Sequence, residues 1–254
     1  MLTVVSSPDG LHKNRVGETT PLVQNSAMHA LLDNIMWNCL TGPHAKYAVG
    51  AGDARRYAPG FSPIVGFAIP ERPDLASLRK VCQPGESFYC HRWTDPAPAG
   101  WQIDKEVMMF KMVWDAPPPA QDAAPDAVAL QPEHFPQTLQ LAQLTNPGPF
   151  GPRTPELGEY FGYFDGGRLI AMAGERMCAG DLHEISGVCT HPDFLGRGFA
   201  RRLTLKLVRR QLQRGKTPFL HVMSHNSAAR ALYGKLGFRD YLETVVRVIS
   251  RVDP

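Results

Sequence analysis

A glycine-containing turn is the part of this sequence whose residue types and spacing best suit chemistry. It reads Leu195-Gly-Arg-Gly-Phe-Ala200 and joins an apolar stretch to a long amphipathic one. A turn that opens a helix points backbone N–H groups at one spot, where the positive end of the helix dipole favours an anion. Gly196 and Gly198 let the backbone approach a ligand closely, because they carry no Cβ. The turn therefore predicts a phosphate or pyrophosphate site.

Three arginines lie in or beside the first turn of the predicted helix: Arg197, Arg201 and Arg202. Cations are unfavourable at this end of a helix unless an anion is close. The competing interpretation is a solvated basic face on an amphipathic helix. We prefer it for the arginines near the other end, which are Arg209, Arg210 and Arg214, because cations suit a helix C-terminus.

A second motif follows the turn after one further strand. From Asn226 to Phe238 the chain reads N-x-x-A-x-x-x-Y-x-x-x-G-F, with Tyr233 as the tyrosine. The glycine turn, the strand Phe219–Met223 and this motif together resemble the GNAT N-acyltransferases. The resemblance extends from Ala127 to the C-terminus.

The resemblance implies a coenzyme A thioester as co-substrate, with its pyrophosphate on the glycine turn. In the family this turn is usually R/Q-x-x-G-x-G/A, whereas Leu195 stands here where Arg or Gln is usual. One side-chain contact is thereby lost, which Arg197 is expected to replace in part. The residues that the resemblance assigns to the cofactor are Val188, Cys189, Thr190, Leu195, Gly196, Arg197, Gly198, Phe199, Ala200, Arg201 and Asn226.

The resemblance also implies direct attack of an amine on the thioester. A backbone N–H in Gly187-Val-Cys-Thr190 would stabilise the oxyanion, and Tyr233 would protonate the departing sulfur. Without the surrounding motif, an aromatic side chain packed on Leu232 and Leu236 would be the better interpretation of Tyr233.

A base is required because an amine with a pKa of about 10 is mostly protonated at neutral pH. We assign this role to Glu184, on the predicted strand Leu182–Thr190, with an ordinary strand-end carboxylate as the alternative. Glu175 is the second choice. His183 and His221 are expected to face away from Glu184 or to lie deep on the neighbouring strand, in structural roles. Cys189 has no evident His-Asp partners, so we interpret it as a packing residue rather than a nucleophile.

The acceptor site is expected under the loop that follows the first helix of this half. Its candidate lining residues are Phe150, Arg153 and Glu156, with ordinary loop packing as an equal competitor.

The elements that must position these residues follow from periodicity and from glycine and proline. In the C-terminal half we predict strands at 127–130, 159–164, 168–177, 182–190, 217–223, 239–242 and 245–249, and helices at 132–144, 199–214 and 227–236. Asp165-Gly-Gly167 predicts a hairpin turn. A strand, a helix and a strand around Gly196–Met223 form a βαβ unit. The fold class is therefore α/β (α+β), with a mixed, partly parallel central sheet flanked by helices.

Residues 116–126 hold four prolines and no large apolar residue, which predicts an extended linker. Residues 127–254 then form the catalytic domain. In residues 1–115 we expect a weakly structured start to about Thr20, helices at 27–40 and 74–82, and strands at 64–69, 87–90 and 105–114. This order is compatible with a degenerate copy of the same fold, giving two similar domains in tandem. The silent half would cover the acceptor site or form a homodimer surface.

Composition narrows the class of partners. A net charge of +3 is too small to favour nucleic acid or an anionic membrane, and the apolar runs fall short of the ~20 residues that span a bilayer. The five cysteines form no CxxC pair, which argues against a disulfide framework and a zinc site. With no secretory signal evident at the N-terminus, we expect a cytoplasmic protein without a metal.

We thus predict an N-acetyltransferase that moves an acetyl group from acetyl-CoA to a primary amine of a small molecule or peptide. The alternative is a non-catalytic sensor that binds acyl-CoA, which the departure at Leu195 keeps open. A third hypothesis, a binder of other phosphates or of nucleic acid through the arginine-rich helix, is disfavoured by the weak net charge.

Overall fold

The elements before residue 116 include strands of two different sheets. The computed structural model describes residues 28–252, so the predicted stretch up to Thr20 and the start of the first predicted helix at Ala27 lie outside the described residues. Residues 28–33 are helical, followed by α1 (Ile35–Thr41), β1 (Ala48–Ala51), β2 (Ala54–Tyr57), β3 (Val65–Phe67), α2 (Leu75–Arg79), β4 (Ser87–His91) and β5 (Trp101–Trp114).

The elements after residue 126 follow the predicted order. They are β6 (Val128–Ala129), α3 (Phe135–Thr145), β7 (Tyr160–Asp165), β8 (Arg168–Ala179), β9 (Leu182–Thr190), α4 (Phe199–Gln213), β10 (Thr217–Met223), α5 (Ser227–Leu236) and β11 (Phe238–Arg251).

Eight of the strands form one sheet in the order β4-β11-β5-β10-β9-β8-β7-β6, and β1, β2 and β3 form a small antiparallel sheet. In the large sheet β9 and β10, which are connected along the chain through α4, run parallel. The other neighbouring strands run antiparallel. The predicted mixed, partly parallel sheet flanked by helices is therefore confirmed. No helix in the described part of the chain is long and apolar enough to cross a membrane.

Local signals place the turns and caps of the C-terminal elements. Gly166 and Gly167 both have positive φ (53° and 82°) and join β7 to β8, as a two-residue hairpin turn requires. The Asn226 side chain accepts a hydrogen bond from the backbone N–H of Ala229 at 3.1 Å and so caps α5. Gly237, with φ of 119°, ends that helix in the left-handed conformation.

Two predicted regions differ from the structure in how their elements are divided. The last two predicted strands are one, β11, which pairs with β5 without interruption at the expected break, residues 243–244, and has its register shift earlier, between Asp240 and Leu242. The predicted helix 27–40 is interrupted at Asn34, where the buried Lys111 ammonium group donates hydrogen bonds to the carbonyls of Leu32 (2.6 Å) and Asp33 (2.9 Å). A buried cation that satisfies carbonyl groups stabilises a helix end at this point.

The predicted division of the chain into two domains does not match the strand order of the large sheet. β5, from the first 115 residues, lies between β10 and β11 and pairs with β11 from Trp101–Arg251 to Trp114–Phe238. The tandem arrangement is thus not confirmed, and strands from both sides of residues 116–126 share one sheet. The predicted linker is held against α4, because Lys206 contacts Asp122 (2.6 Å) and the carbonyl of Ala124 (3.0 Å).

The two faces of the large sheet carry separate apolar cores. Residues 28–41 pack on one face, where Leu32, Ile35 and Met36 meet Val113 and Phe219. α4 and α5 pack on the other face, where Leu203, Leu207 and Tyr233 meet Met112 and Leu220. Alternate residues of β5 and β10 thus serve opposite cores, as strand geometry requires.

Candidate functional site

The parallel strands β9 and β10 separate after a short paired region. They pair only where Thr217–Phe219 meets Leu182–Glu184, and beyond this point the two strands flank a cavity of about 480 Å³. The cavity is lined from the α5 side by Asn226, Ala229 and Tyr233, and from the α1 side by Met36, Val107 and Val246. It therefore connects the two faces of the sheet through the gap between β9 and β10.

The β9 wall of the cavity contains a β-bulge. Between the pairs Gly174–Ser186 and Met172–Cys189, β9 has two residues, Gly187 and Val188, opposite a single residue of β8. Gly187 has a φ of 63°, and a bulge of this kind leaves one residue of the strand without a ladder partner. Gly187 and Val188 both line the cavity, so the bulged segment forms part of its wall.

Cys189 is packed behind this wall rather than available for chemistry. It is buried, and burial raises the pKa of its thiol to about 11. The thiol is therefore protonated and unreactive at neutral pH, in keeping with its interpretation as a packing residue.

The glycine turn follows the carboxyl end of β9, the end at which the strands separate. Gly196 (φ 75°) and Gly198 (φ 77°) both adopt the left-handed conformation, and Gly198 is the N-cap of α4 without a side chain that caps the helix. A Cβ built on either glycine meets nothing within 4 Å, so the left-handed conformation, and not crowding, is what favours glycine here. The first N–H groups of α4 thus face an uncapped, accessible position suited to an anion.

The side chains around the turn are mostly exposed. Leu195 is 65% exposed, and the Arg197 guanidinium lies over the Phe194 ring at 4.7 Å. Arg202 contacts Asp126 at 2.5 Å, whereas Arg197 and Arg201 make no ion pair within residues 28–252. The arginines toward the end of α4 contact protein groups and remain partly exposed: Arg209 donates to the carbonyls of Pro119 and Ala120, and Arg210 and Arg214 pair with Glu159.

Glu184 is the centre of a buried charge cluster. Its carboxylate accepts two hydrogen bonds from Arg176 (2.6 and 2.9 Å) and one from the backbone N–H of Met177 (3.2 Å). It also contacts the His221 ring at 2.7 Å. Its side chain is 1% exposed. Burial acts against ionisation of this group, but Arg176 and His221 outweigh it and lower the pKa of Glu184 to about 2.

His221 does not face away from Glu184, but it has the second of its two expected placements, buried on the neighbouring strand β10. His221 Nδ1 lies 2.7 Å from Glu184 Oε1, and the ring lines the cavity. Burial lowers the pKa of His221, so the ring is neutral at neutral pH although Glu184 acts in the opposite direction. Its Nε2 is buried without a hydrogen-bond partner in the described part of the chain. With Nδ1–H donated to Glu184, Nε2 is an unprotonated acceptor. His183 does not line the cavity.

Tyr233, from the second motif, is part of α5. It lines the cavity from α5, is 8% exposed, and has its pKa raised to about 12 by burial. The hydroxyl is therefore protonated at neutral pH and can act only as a donor or acceptor of hydrogen bonds or as an acid.

The predicted acceptor residues are not brought together in the cavity. Arg153 and Glu156 pair with each other at the surface, with contacts of 2.9 and 2.8 Å, and Phe150 packs edge-on against Tyr160. The cavity is instead lined by the first part of that loop, residues 146–149. Glu175 is also outside the lining and binds Gln211 and Arg214.

The first 115 residues, which we expected to cover the acceptor site or to form a homodimer surface, build a wall of the cavity whose individual residues the sequence did not indicate. Met36, Ile64, Tyr89, Lys105 and Val107 all line the cavity. The alternation along 105–114 indicated a strand, but no local signal shows that this strand lies beside β10.

Comparisons with known proteins identify the family of this chain. The family model for FR47-like protein matches residues 160–248. A crystal structure of a protein from Novosphingobium aromaticivorans assigned to the GNAT acetyltransferases is 33% identical, with a TM-score of 0.78, over 87% of this chain and 99% of that one. The chain therefore belongs to the GNAT family. No curated protein matches it.

More distant structures share the fold. A GCN5-related N-acetyltransferase from Kribbella flavida is 16% identical with a TM-score of 0.54, over 90% of this chain and 95% of that one. A GCN5-related N-acetyltransferase-like protein from Streptococcus suis is 16% identical with a TM-score of 0.57, over 90% of this chain and 99% of that one. Membership of the family supports acyl transfer in general, with an acyl-CoA co-substrate. Residues 28–252 hold no group of three or more His, Cys, Asp or Glu arranged to bind a metal ion.

Proposed function

We propose that this protein transfers an acetyl group from acetyl-CoA to a primary amine by direct attack on the thioester. The observation that carries the proposal is the cavity between β9 and β10, which connects the α5 side, with Asn226 and Tyr233, to the Glu184–His221 cluster. A donor on one face and an acceptor on the other can meet in this gap without a covalent enzyme intermediate.

The donor side is the α4 and α5 face. The pyrophosphate of CoA would lie on the N–H groups of the Leu195–Arg201 turn, with Arg197 and Arg201 as the unpaired cations. Asn226 and Tyr233 would contact the arm that carries the thioester. The bulged segment from Gly187 to Thr190 would supply a backbone N–H to the oxyanion.

The base in this proposal is His221, with Glu184 as the group that orients it. A carboxylate with a pKa near 2 accepts a proton from an ammonium group very poorly, and the oxygens of Glu184 are already bonded. His221 lines the cavity, and its Nε2 is buried without a hydrogen-bond partner among the described residues. It would take a proton from the amine, while Glu184 stabilises the imidazolium that forms.

The transfer then proceeds through one tetrahedral intermediate. The amine nitrogen bonds to the thioester carbonyl carbon, and the C–S bond breaks when the carbonyl re-forms. The Tyr233 hydroxyl lies on the donor side and would give its proton, or a strong hydrogen bond, to the leaving sulfur.

The acceptor side favours an amine with an apolar body. The wall formed by the first 115 residues and β11 is mostly apolar, with Met36, Ile64, Val107, Val246 and Val248 in the lining. Burial of apolar surface there contributes about 25 cal/mol per Å². We place the protein in a reducing cytoplasm, which suits its five free cysteines.

The proposal is tested by incubating the protein with acetyl-CoA and a panel of primary amines, small molecules and short peptides among them. Release of free CoA and acetylation of the amine are followed together. We expect turnover with amines that carry alkyl or aryl groups, and loss of turnover in His221→Gln. Bound acetyl-CoA without CoA release in the presence of any amine would instead support the non-catalytic sensor.

A further inference from the structure

Two cysteines that the proposed transfer does not use meet where α1 packs on β8. Cys39 Sγ lies 3.4 Å from the backbone N of Cys178 and 3.5 Å from the Tyr57 hydroxyl. Cys178 Sγ lies 3.5 Å from His44 Nε2, and the other ring nitrogen of His44 lies 2.8 Å from the same Tyr57 hydroxyl. The four side chains therefore form one connected cluster, distant in sequence and adjacent in the fold.

The two thiols have opposite character. Cys39 is fully buried, and burial raises the pKa of its thiol. Cys178 is half-buried, and its pKa is well below the ordinary value because Cys39 hydrogen-bonds to its sulfur, with His44 and His183 adding to the effect. A partly exposed thiolate beside a second, protonated thiol is the arrangement of an oxidant-sensitive cysteine with its resolving partner.

The other cysteines provide the contrast. Cys82, Cys90 and Cys189 are buried, and burial raises the pKa of each thiol, to about 12 for Cys90 and about 11 for Cys189. Among the five cysteines, only Cys178 combines partial exposure with a stabilised thiolate.

We propose that Cys178 and Cys39 are a dithiol site that a hydroperoxide oxidises to a disulfide. The Cys178 thiolate attacks the peroxide, so that an S–O bond forms, the O–O bond breaks, and the leaving oxygen takes up a proton as water or an alcohol. The Cys39 thiol then attacks the resulting sulfenic acid. An S–S bond forms, the S–O bond breaks, and water leaves with the thiol proton. Two thiols are oxidised and one peroxide is reduced.

The disulfide would join two elements that border the proposed active site. Met36 lies one turn before Cys39 on α1 and lines the acceptor side of the cavity. Arg176 lies two residues before Cys178 on β8 and holds Glu184. Oxidation would therefore link the acceptor wall to the strand that supports the charge cluster.

The experiment treats the reduced, full-length protein with a small excess of hydrogen peroxide, blocks the remaining thiols, and maps the peptides by mass spectrometry. We expect a Cys39–Cys178 cross-linked peptide, with Cys82, Cys90 and Cys189 still open to alkylation after unfolding. The oxidation rate should change little between pH 6 and 8. An ordinary thiol with a pKa of about 8.5 would react nearly a hundredfold faster at pH 8 than at pH 6.

Two variants separate the steps. Cys39→Ser should stop at a sulfenic acid on Cys178, which a 1,3-dione reagent traps, and Cys178→Ser should leave Cys39 reduced. The wild-type peptide map is decisive by itself if either variant fails to fold. Cys178 that remains reduced under peroxide, or that is oxidised no faster than the three buried cysteines, would overturn the proposal.

Discussion

The buried charge cluster around Glu184 is sensitive to the replacement of a single charged residue. Arg176 and Glu184 are both almost fully buried, with side chains 8% and 1% exposed. Replacement of Glu184 by Gln leaves the Arg176 cation buried without its partner. Breaking a buried pair from one side destabilises a protein by about 3–5 kcal/mol. We expect a decrease of this size in the free energy of unfolding of Glu184→Gln, measured by urea denaturation at pH 7.

The same carboxylate determines how this loss depends on pH. The folded pKa of Glu184 is about 2 and lies below its ordinary value of 4.5, so its contribution is complete above about pH 4.5 and declines as the pH falls toward 2. The difference between wild type and Glu184→Gln should therefore narrow over this range. A difference that stays constant from pH 7 to pH 3 would contradict the ionised state assigned to Glu184.

His221 is the residue whose replacement separates the two candidate bases. If Nε2 takes the proton, His221→Gln should lower kcat/KM by at least about 100-fold, because general-base contributions are typically 10²–10⁴-fold. Burial lowers the pKa of His221, so the wild-type profile should rise below the usual histidine range and level off before neutral pH. The variant should lack this rise, while its affinity for CoA is unchanged. The assay uses an acceptor whose amine pKa is known, so that titration of the substrate can be distinguished from titration of His221.

Survival of the same acid limb in His221→Gln, with near wild-type turnover, would return the role of base to another group.

The sequence alone could not show whether Glu184 or His221 is the base. Glu184 and His221 lie on different strands, and their contact depends on the register that pairs Glu184 with Phe219. Register between strands linked through α4 is set by tertiary packing and leaves no local pattern in either strand.

Tyr233 offers a test on the donor side. Replacement of Tyr233 by Phe keeps the aromatic packing against Phe238, with ring centroids 6.0 Å apart, and removes only the hydroxyl. We expect turnover to fall by roughly 10²–10⁴-fold with CoA affinity nearly unchanged. Because burial raises its pKa to about 12, Tyr233 should produce no alkaline limb in the assay range. Wild-type turnover of Tyr233→Phe, under conditions where chemistry limits the rate, would exclude the acid role.

Among the elements, the turn before α4 has a matched pair of variants. Asp and Asn at position 198 have nearly the same shape, and both tolerate the left-handed backbone (φ 77°) better than most residues. They differ by the negative charge at an uncapped helix N-terminus. We expect Gly198→Asp to abolish CoA binding and Gly198→Asn to retain it within about tenfold. If the affinity of the Asp variant stays within about threefold, or under ~1 kcal/mol, the pyrophosphate site is elsewhere.

The elements after residue 126 were predictable because local residue signals mark where they begin and end. Gly166–Gly167, Gly215 and Gly237 mark ends that require positive φ, and Asn226 marks a helix start. Where the end of an element depends on a contact with a residue distant in sequence, prediction from sequence gave the wrong bounds. The interruption at Asn34 depends on Lys111, which is 78 residues away from the carbonyl of Asp33 that it contacts. No periodicity within 27–40 contains that information.

At the scale of the whole molecule, two of the eight strands of the large sheet, β4 and β5, come from residues that the sequence assigned to a separate domain. The proline-rich composition of residues 116–126 correctly indicates a segment without helix or strand, yet this segment packs along α4, with Ala124 fully buried. A break in secondary structure is a local property, whereas a domain boundary depends on which distant strands pair. β11 has β4 and β5 as its neighbours, and both precede residue 116.

This topology predicts that residues 116–254 do not fold alone. Without the first 115 residues, β11 loses both neighbours and β10 loses β5, so rows of backbone N–H and C=O groups become unpaired. The core under α4 and α5 also loses Phe110 and Met112. We expect this fragment to aggregate or to melt without cooperativity. Fragments 1–115 and 116–254 produced together should restore a cooperative transition and CoA binding, and the intact chain serves as the reference. A 116–254 fragment that melts cooperatively and binds CoA as tightly as the whole chain would establish it as an independent domain, contrary to the role we give β5.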